Sequence, residues 1–136
     1  MTAYGGDYYS KGAAGTIYKQ TASQGAGQGT LIIDNNNLST ATGIVTDLDG
    51  EDANSTTVGE IILQNAAKFT IDSDDTLTLS GAGTTITVNS GTTLINQGTL
   101  NIGGTSFTNN GTIDFDDAGN TVTYTGQADD SGVTLI

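Results

Sequence analysis

Two consecutive stretches of this chain, "GTTLINQGTLNI" from Gly91 and "GTSFTNNGTIDF" from Gly104, align position by position at an offset of 13 residues. Leu94 meets Phe107, Asn96 meets Asn109, Gly98 meets Gly111, Leu100 meets Ile113 and Ile102 meets Phe115. A unit this short cannot enclose a core. It must be stacked on neighbours that bury the face it leaves open, which narrows the fold to repeat architectures.

From Lys68 onward the same texture continues. Short runs alternate apolar and polar residues: FTI at Phe69, TLTL at Thr76, TITV at Thr85, TTL at Thr92, TLNI at Thr99, SF at Ser106, TIDF at Thr112 and TVTY at Thr121. Period 2 is the signature of a strand with one buried and one wet face. The connectors are SGAG, NSG, NQG, GG, NNG and DDAGN, rich in the residues that reach positive φ cheaply. Each run from Thr76 onward carries an apolar anchor: Leu77, Ile86, Leu94, Leu100, Phe107, Ile113 and Val122. The separations Leu77 to Leu100, Ile86 to Phe107, Leu94 to Ile113 and Leu100 to Val122 are 23, 21, 19 and 22 residues. Three strands per coil fits that rise, and gives an all-β, single-stranded parallel β-helix (a three-sided β-solenoid). The rival is a flat two-sided coil of 13 residues, in which Leu94 would stack on Phe107. The expected inward residues are Leu77, Leu79, Ile86, Val88, Leu100, Ile102, Ile113, Phe115, Val122 and Tyr124.

The first half is less regular, and three regions follow. Residues 1–28 form a Gly/Tyr-rich start and first coil, with a strand at GTIY from Gly15. Residues 29–67 form irregular coils, with strands in GTLIIDNNN and VGEIILQNAAKFTID, a short strand at Gly43 to Thr46, and an acidic loop at 46–57. Residues 68–136 are regular solenoid repeats with an open C-terminal end.

Composition removes several functions. The chain has 136 residues, suited to one domain, and a net charge of −12 from 15 acids and three lysines. Nucleic acid and anionic membranes both require a basic surface. No apolar run approaches the roughly 20 residues of a membrane span. The absence of Cys excludes a disulfide scaffold, and the absence of both His and Cys excludes nucleophile triads that use them. The start, MTAYGGDYY, lacks the basic and apolar regions of a signal peptide, so in an exported protein this chain is a mature piece or an excised segment.

GGDYYSKGAAGTIYKQ, then GTLIIDNNN, then repeats of the GTLNI…FTNNGTI kind resemble the repeat regions of very large secreted bacterial and archaeal surface proteins with haemagglutinin-like or autotransporter-like β-helical stalks. The resemblance spans about Gly5 to Phe115. It implies a right-handed β-helix, an extracellular or cell-surface setting, and an adhesive or structural role. The acidic loop and the uneven coil length depart from it.

Asp47, Asp49, Glu51 and Asp52 surround Gly50 in DLDGED, a spacing that could hold calcium. The order fits neither the EF-hand loop nor the Gly-rich nonapeptide pattern, and a solvated acidic loop is the simpler reading. DSDD at Asp72 and DFDD at Asp114 lie at strand ends, where Asp commonly turns the chain. Paired carboxylates invite a glycosidase reading, but no His, Arg or Trp supports it. Tyr4, Tyr8, Tyr9 and Tyr18 could stack on a sugar, with packing at a coil end as the plainer role. Thr76 with Thr78, Thr85 with Thr87, and Thr121 with Thr123 face outward, as on ice-binding solenoids. Their ranks are expected to be few and to fall on different sides. NLS at Asn37, NST at Asn54 and NGT at Asn110 match the glycosylation pattern by chance in so Asn- and Thr-rich a chain.

The reading is therefore a non-enzymatic structural or adhesive module of an extracellular surface protein or filament, with no catalytic, cofactor or metal residues assigned. Its partners are other copies or neighbouring repeats stacked end to end, and surface glycans. Val133, Leu135 and Ile136 are expected to form the strand of an unfinished coil. The alternatives are a glycan- or ice-binding module and, below them, a phage-type polysaccharide-degrading β-helix.

Overall fold

The computed structural model describes residues 3–6, 11–41, 43–48, 54–81, 84–103 and 106–124. The described residues contain no helix; they form twelve strands, all but one paired in parallel. These are β1 (Gly15–Lys19), β2 (Thr30–Asp34), β3 (Ser55–Val58), β4 (Glu60–Gln64), β5 (Lys68–Ile71), β6 (Thr76–Leu79), β7 (Thr85–Val88), β8 (Thr93–Asn96), β9 (Thr99–Ile102), β10 (Ser106–Asn109), β11 (Thr112–Asp114) and β12 (Thr121–Tyr124). They make three sheets: a first of order β1-β2-β4-β7-β10, a second of order β5-β8-β11 and a third of order β3-β6-β9-β12.

From β4 onward the chain visits first, second and third sheet in turn, three times over, an order compatible with a β-solenoid. The four anchor pairs expected at 23, 21, 19 and 22 residues are direct register partners: Leu77 with Leu100, Ile86 with Phe107, Leu94 with Ile113, and Leu100 with Val122. The 13-residue coil is excluded, because Leu94 pairs with Phe69 and Ile113 while Phe107 pairs with Ile86. The echo instead marks a reusable corner. β8 and β9 flank one Asn-x-Gly turn and β10 and β11 flank the other, one joining the second sheet to the third and the other joining the first to the second.

Alternation in the sequence becomes alternation in burial. In β6, β7, β8 and β9 the second and fourth residues are buried and the first and third half-exposed. Leu77, Leu79, Ile86, Val88, Leu100 and Ile102 take their expected inward places, joined by Ile33, Ile61, Leu63, Phe69, Ile71 and Leu94. Burying one such side chain contributes roughly 1.5–3 kcal/mol. Ile113, Phe115 and Val122 are only half-buried, because β10, β11 and β12 end the three sheets among the described residues. The side chain of Tyr124 and the expected terminal strand at Val133, Leu135 and Ile136 lie outside the described residues.

Three features of the first half differ from expectation. The strand from Gly15 pairs antiparallel with β2, with Ile17 opposite Ile32, and so closes one edge of the first sheet. The expected strand at Gly43 to Thr46 reduces to a single bridge from Thr46 to Phe69. The acidic loop expected over 46–57 is shorter at its end, since Ser55–Val58 is the strand β3, paired with β6. Its STTV sequence alternates, but three polar residues hid the pattern.

The corner glycines of the echo show why the turn is repeated. A Cβ at Gly98 would overlap the carbonyl oxygen of Asp72 and lie 2.6 Å from that of Asp75; one at Gly111 would lie 2.5 and 2.6 Å from those of Asn89 and Thr92. Each glycine thus lets the backbone of one turn rest on another, and the next residue completes the contact: Thr99 N–H donates to Asp75 O and Thr112 N–H to Thr92 O, both at 2.9 Å. Gly98→Ala should therefore lower stability by about 2–3 kcal/mol through overpacking. Gly91→Ala, at φ 79° with nothing within 4 Å, should cost only about 1 kcal/mol of backbone strain. Chemical denaturation of the two variants checks the order.

Candidate functional site

The sites suggested by the sequence are scattered by the fold. Of the DLDGED loop only Asp47 and Leu48 are described, so Asp49, Gly50, Glu51 and Asp52 lie outside the described residues. Among the described residues no group of three or more His, Cys, Asp or Glu side chains could hold a metal ion. The DSDD carboxylates serve a corner. Asp75 is buried and its Oδ1 accepts the Asn54 N–H at 3.0 Å, whereas Asp74 is exposed. In DFDD, Asp117 accepts the Gln97 amide at 3.0 Å. A hydrogen bond to the Asp114 carboxylate and repulsion from its charge raise the pKa of Asp116. Tyr4 and Tyr18 are exposed, and Tyr8 and Tyr9 lie outside the described residues. Asn37, Asn54 and Asn110 are exposed. Asn37 sits at φ 59°, where its N–H donates to Asn65 O at 3.0 Å.

A cavity of about 700 Å³ opens beside β1 and β3. Its described lining includes Ala14, Tyr18, Leu31, Leu48, Val58 and Phe69. That size falls in the range of small-molecule pockets. It forms where the second sheet holds only the Thr46 bridge beyond Phe69, so the apolar column loses a strand. Tyr18 stands at its rim with its hydroxyl tied on both sides: it accepts from Gly29 N–H at 2.9 Å and donates to Gln20 Oε1 at 3.2 Å.

The threonine pairs are more concentrated than expected. Thr85 and Thr87 belong to the first sheet, but Thr76 with Thr78 and Thr121 with Thr123 share the third. Thr99 with Asn101 lies between them, and Ser55 with Thr57 on the remaining strand completes the face. The signal was present in TLNI and STTV. It needed the pairing register to be seen, because neither run repeats the Thr-x-Thr pattern cleanly.

A buried polar corner was not legible. At the end of β2 the Asp34 carboxylate, 8% exposed, accepts three hydrogen bonds: from Asn36 N–H at 2.8 Å, Asn65 Nδ2 at 3.0 Å and Gln64 Nε2 at 2.7 Å. It thereby ties the β2 turn to the β4 turn, both left-handed, with φ of 51° and 59° at Asn36 and Asn37 and 55° and 63° at Asn65 and Ala66. Burial raises the Asp34 pKa, but the three donors together outweigh it and hold the carboxyl below its ordinary value. On the outer face of the first sheet Glu60 plays a similar part, accepting from the hydroxyls of Thr30 at 2.8 Å and Thr85 at 2.9 Å.

The chain matches no protein-family model, and no curated protein or solved structure is similar to it. Function must therefore be argued from these surfaces.

A depressed folded-state pKa means that the Asp34 contribution is complete above the unfolded pKa, about 4, and is lost as pH falls through the folded value. Asp34→Asn turns one acceptor oxygen into a donor facing donors. It should cost about 2 kcal/mol at neutral pH. The loss should shrink on acidification, so the two melting curves should converge below about pH 4.

Proposed function

We propose that the chain is a right-handed, three-sided parallel β-helix serving as a structural and adhesive module of an extracellular surface protein or filament, extended by other copies or neighbouring repeats stacked along its axis. The observation that carries this reading is the set of apolar columns. Leu31, Ile61, Ile86 and Phe107 line up through the first sheet, Phe69, Leu94 and Ile113 through the second, and Leu77, Leu100 and Val122 through the third. Among the described residues each column ends in a residue that is only half-buried, and no strand pairs beyond β10, β11 or β12. A sheet edge above half-covered apolar side chains is a template for another strand. The opposite edge of the first sheet is closed by the antiparallel β1, so growth is favoured in one direction. Right-handedness is what the resemblance to secreted stalks implies, and the preference of parallel crossover connections favours it.

The remaining chemistry fits a scaffold. Outward positions carry threonine, isoleucine, amides and a few charged residues such as Glu60 and Lys68, and among the buried polar side chains Asp34 ties turn to turn. A role in catalysis finds no support in this arrangement: Asp34 and Asp75 hold turns, and Glu60 holds the hydroxyls of two neighbouring strands. The extracellular setting rests on the resemblance of the repeats to secreted stalks.

Association through such an edge has a distinct salt dependence. A net charge of −12 repels copies at low ionic strength, and screening shortens that repulsion to about 8 Å near physiological salt. Sedimentation velocity should therefore show self-association that strengthens from low to high salt, and Val122→Lys should weaken it. A chain that remains monomeric at high concentration and high salt would contradict the axial reading.

A further inference from the structure

Among the described residues the outer face of the third sheet differs from the other two in carrying no charged or large apolar side chain. Its strands β3, β6, β9 and β12 have four residues each and pair in continuous parallel register. The outward positions form two columns: Ser55, Thr76, Thr99 and Thr121 in one, and Thr57, Thr78, Asn101 and Thr123 in the other. Every one is a hydroxyl except the single amide of Asn101, and none is charged or aromatic. The first sheet places Ile32, Glu60 and Ile62 at its corresponding positions, and the second places Lys68, Ile95 and Asp114. Threonine stands on all three faces, as strand propensity favours, with Thr30, Thr85, Thr87 and Thr108 on the first and Thr93 and Thr112 on the second, but there charged and large apolar side chains interrupt it.

The array is regular in two directions. Neighbours within a column are about 4.8 Å apart, and the two columns are about 6.7 Å apart, two residues along an extended strand. It is also stiff. Leu77, Leu79, Leu100 and Ile102 are buried directly beneath it, and Asn101 Nδ2 donates to the Thr78 hydroxyl at 3.3 Å across strands.

We infer that this face binds the surface of ice. Each hydroxyl can donate one hydrogen bond and accept two, and each threonine methyl beside it leaves water no competing partner. A rigid array of such groups holds its first water layer at the array's own two repeats. Planes of crystalline water present oxygen atoms at closely similar repeats, so that layer can join the crystal with little rearrangement. The absence of charge matters for the same reason, since an ionic group would hold a hydration shell that no ice plane matches. A soluble glycan is a poorer fit, because none of the eight side chains offers a ring for a sugar to stack on; Tyr18 lies on β1 of the first sheet. The inference concerns one sheet face and holds whether or not the chain belongs to a stalk.

The test is ice-affinity partitioning of the full chain during slow freezing, with inhibition of ice recrystallisation as a second readout. The wild-type chain should concentrate in the ice. Thr78→Tyr, which raises a ring above the plane, should reduce that enrichment about tenfold, as expected for about 1.4 kcal/mol. Asn101→Asp, which keeps the shape and adds a charge, should do the same, and serves if the tyrosine variant fails to fold by circular dichroism. Thr87→Tyr on the first sheet should leave the enrichment unchanged. A wild-type chain that stays in the liquid would overturn the inference. So would equal losses in the Thr78 and Thr87 variants, or Thr78-dependent retention on microcrystalline cellulose by a chain that ice excludes.

Discussion

The structure depends on the parallel backbone ladder, in which each strand after β1 finds a hydrogen-bond partner one circuit of the three sheets away. β6 pairs with β9, offset by the 23 residues between Thr76 and Thr99, and never with its sequence neighbours β5 or β7. A lone circuit leaves its N–H and C=O groups unpaired and its apolar side chains open above and below. Stability therefore accrues only by stacking, and every contact that matters closes a long loop first. This explains the gradient of burial along the chain. Circuits flanked on both sides hide Leu77, Ile86 and Leu94 completely, while Phe107, Ile113 and Val122 in the last described circuit are half-covered.

Constraints on the corners follow from the ladder. Strands that stack in register force their turns to stack as well, and turns have little room. The chain meets this in two ways. Gly98 and Gly111 remove a side chain where carbonyl oxygens press in. The turns after β2 and β4 use left-handed residues, including Ala66, which lacks both the freedom of glycine and the side-chain amide of asparagine. Asp34, reaching from one turn to the other, adds the hydrogen bonds that hold this strained pair together.

Much of this was legible in the sequence, for a physical reason. Period-2 alternation reports burial directly, and the spacing of Leu77, Leu94 and Leu100 from their partners reports the length of a circuit. What was not legible depends on partners rather than patterns. GTIY has the same texture in a parallel or an antiparallel pair, so the reversal of β1 left no mark. STTV looked like loop because its single strong anchor is Val58. Asn96 reads as a turn residue yet is fully buried in line with Ile71, its amide donating to Thr121 O at 3.3 Å. The hydroxyl array of the third sheet was half visible. Three Thr-x-Thr pairs stood out, but which of them share a face is a property of the register, and one of the three does not.

The central claim is the register itself, and the absence of cysteine from the chain makes it directly measurable. Thr87 and Thr108 are paired, outward-facing partners on β7 and β10. Adjacent strands place such Cα atoms about 4.8 Å apart, inside the roughly 4.4–6.8 Å window of a disulfide. The double variant Thr87→Cys/Thr108→Cys should form an intramolecular disulfide on mild oxidation, read by mass spectrometry, without loss of the β-sheet spectrum. The matched variant Ile95→Cys/Thr108→Cys, which a 13-residue coil would bring together, should stay reduced within the monomer. The reverse outcome, bonding of 95 to 108 and none of 87 to 108, would contradict the three-sheet account.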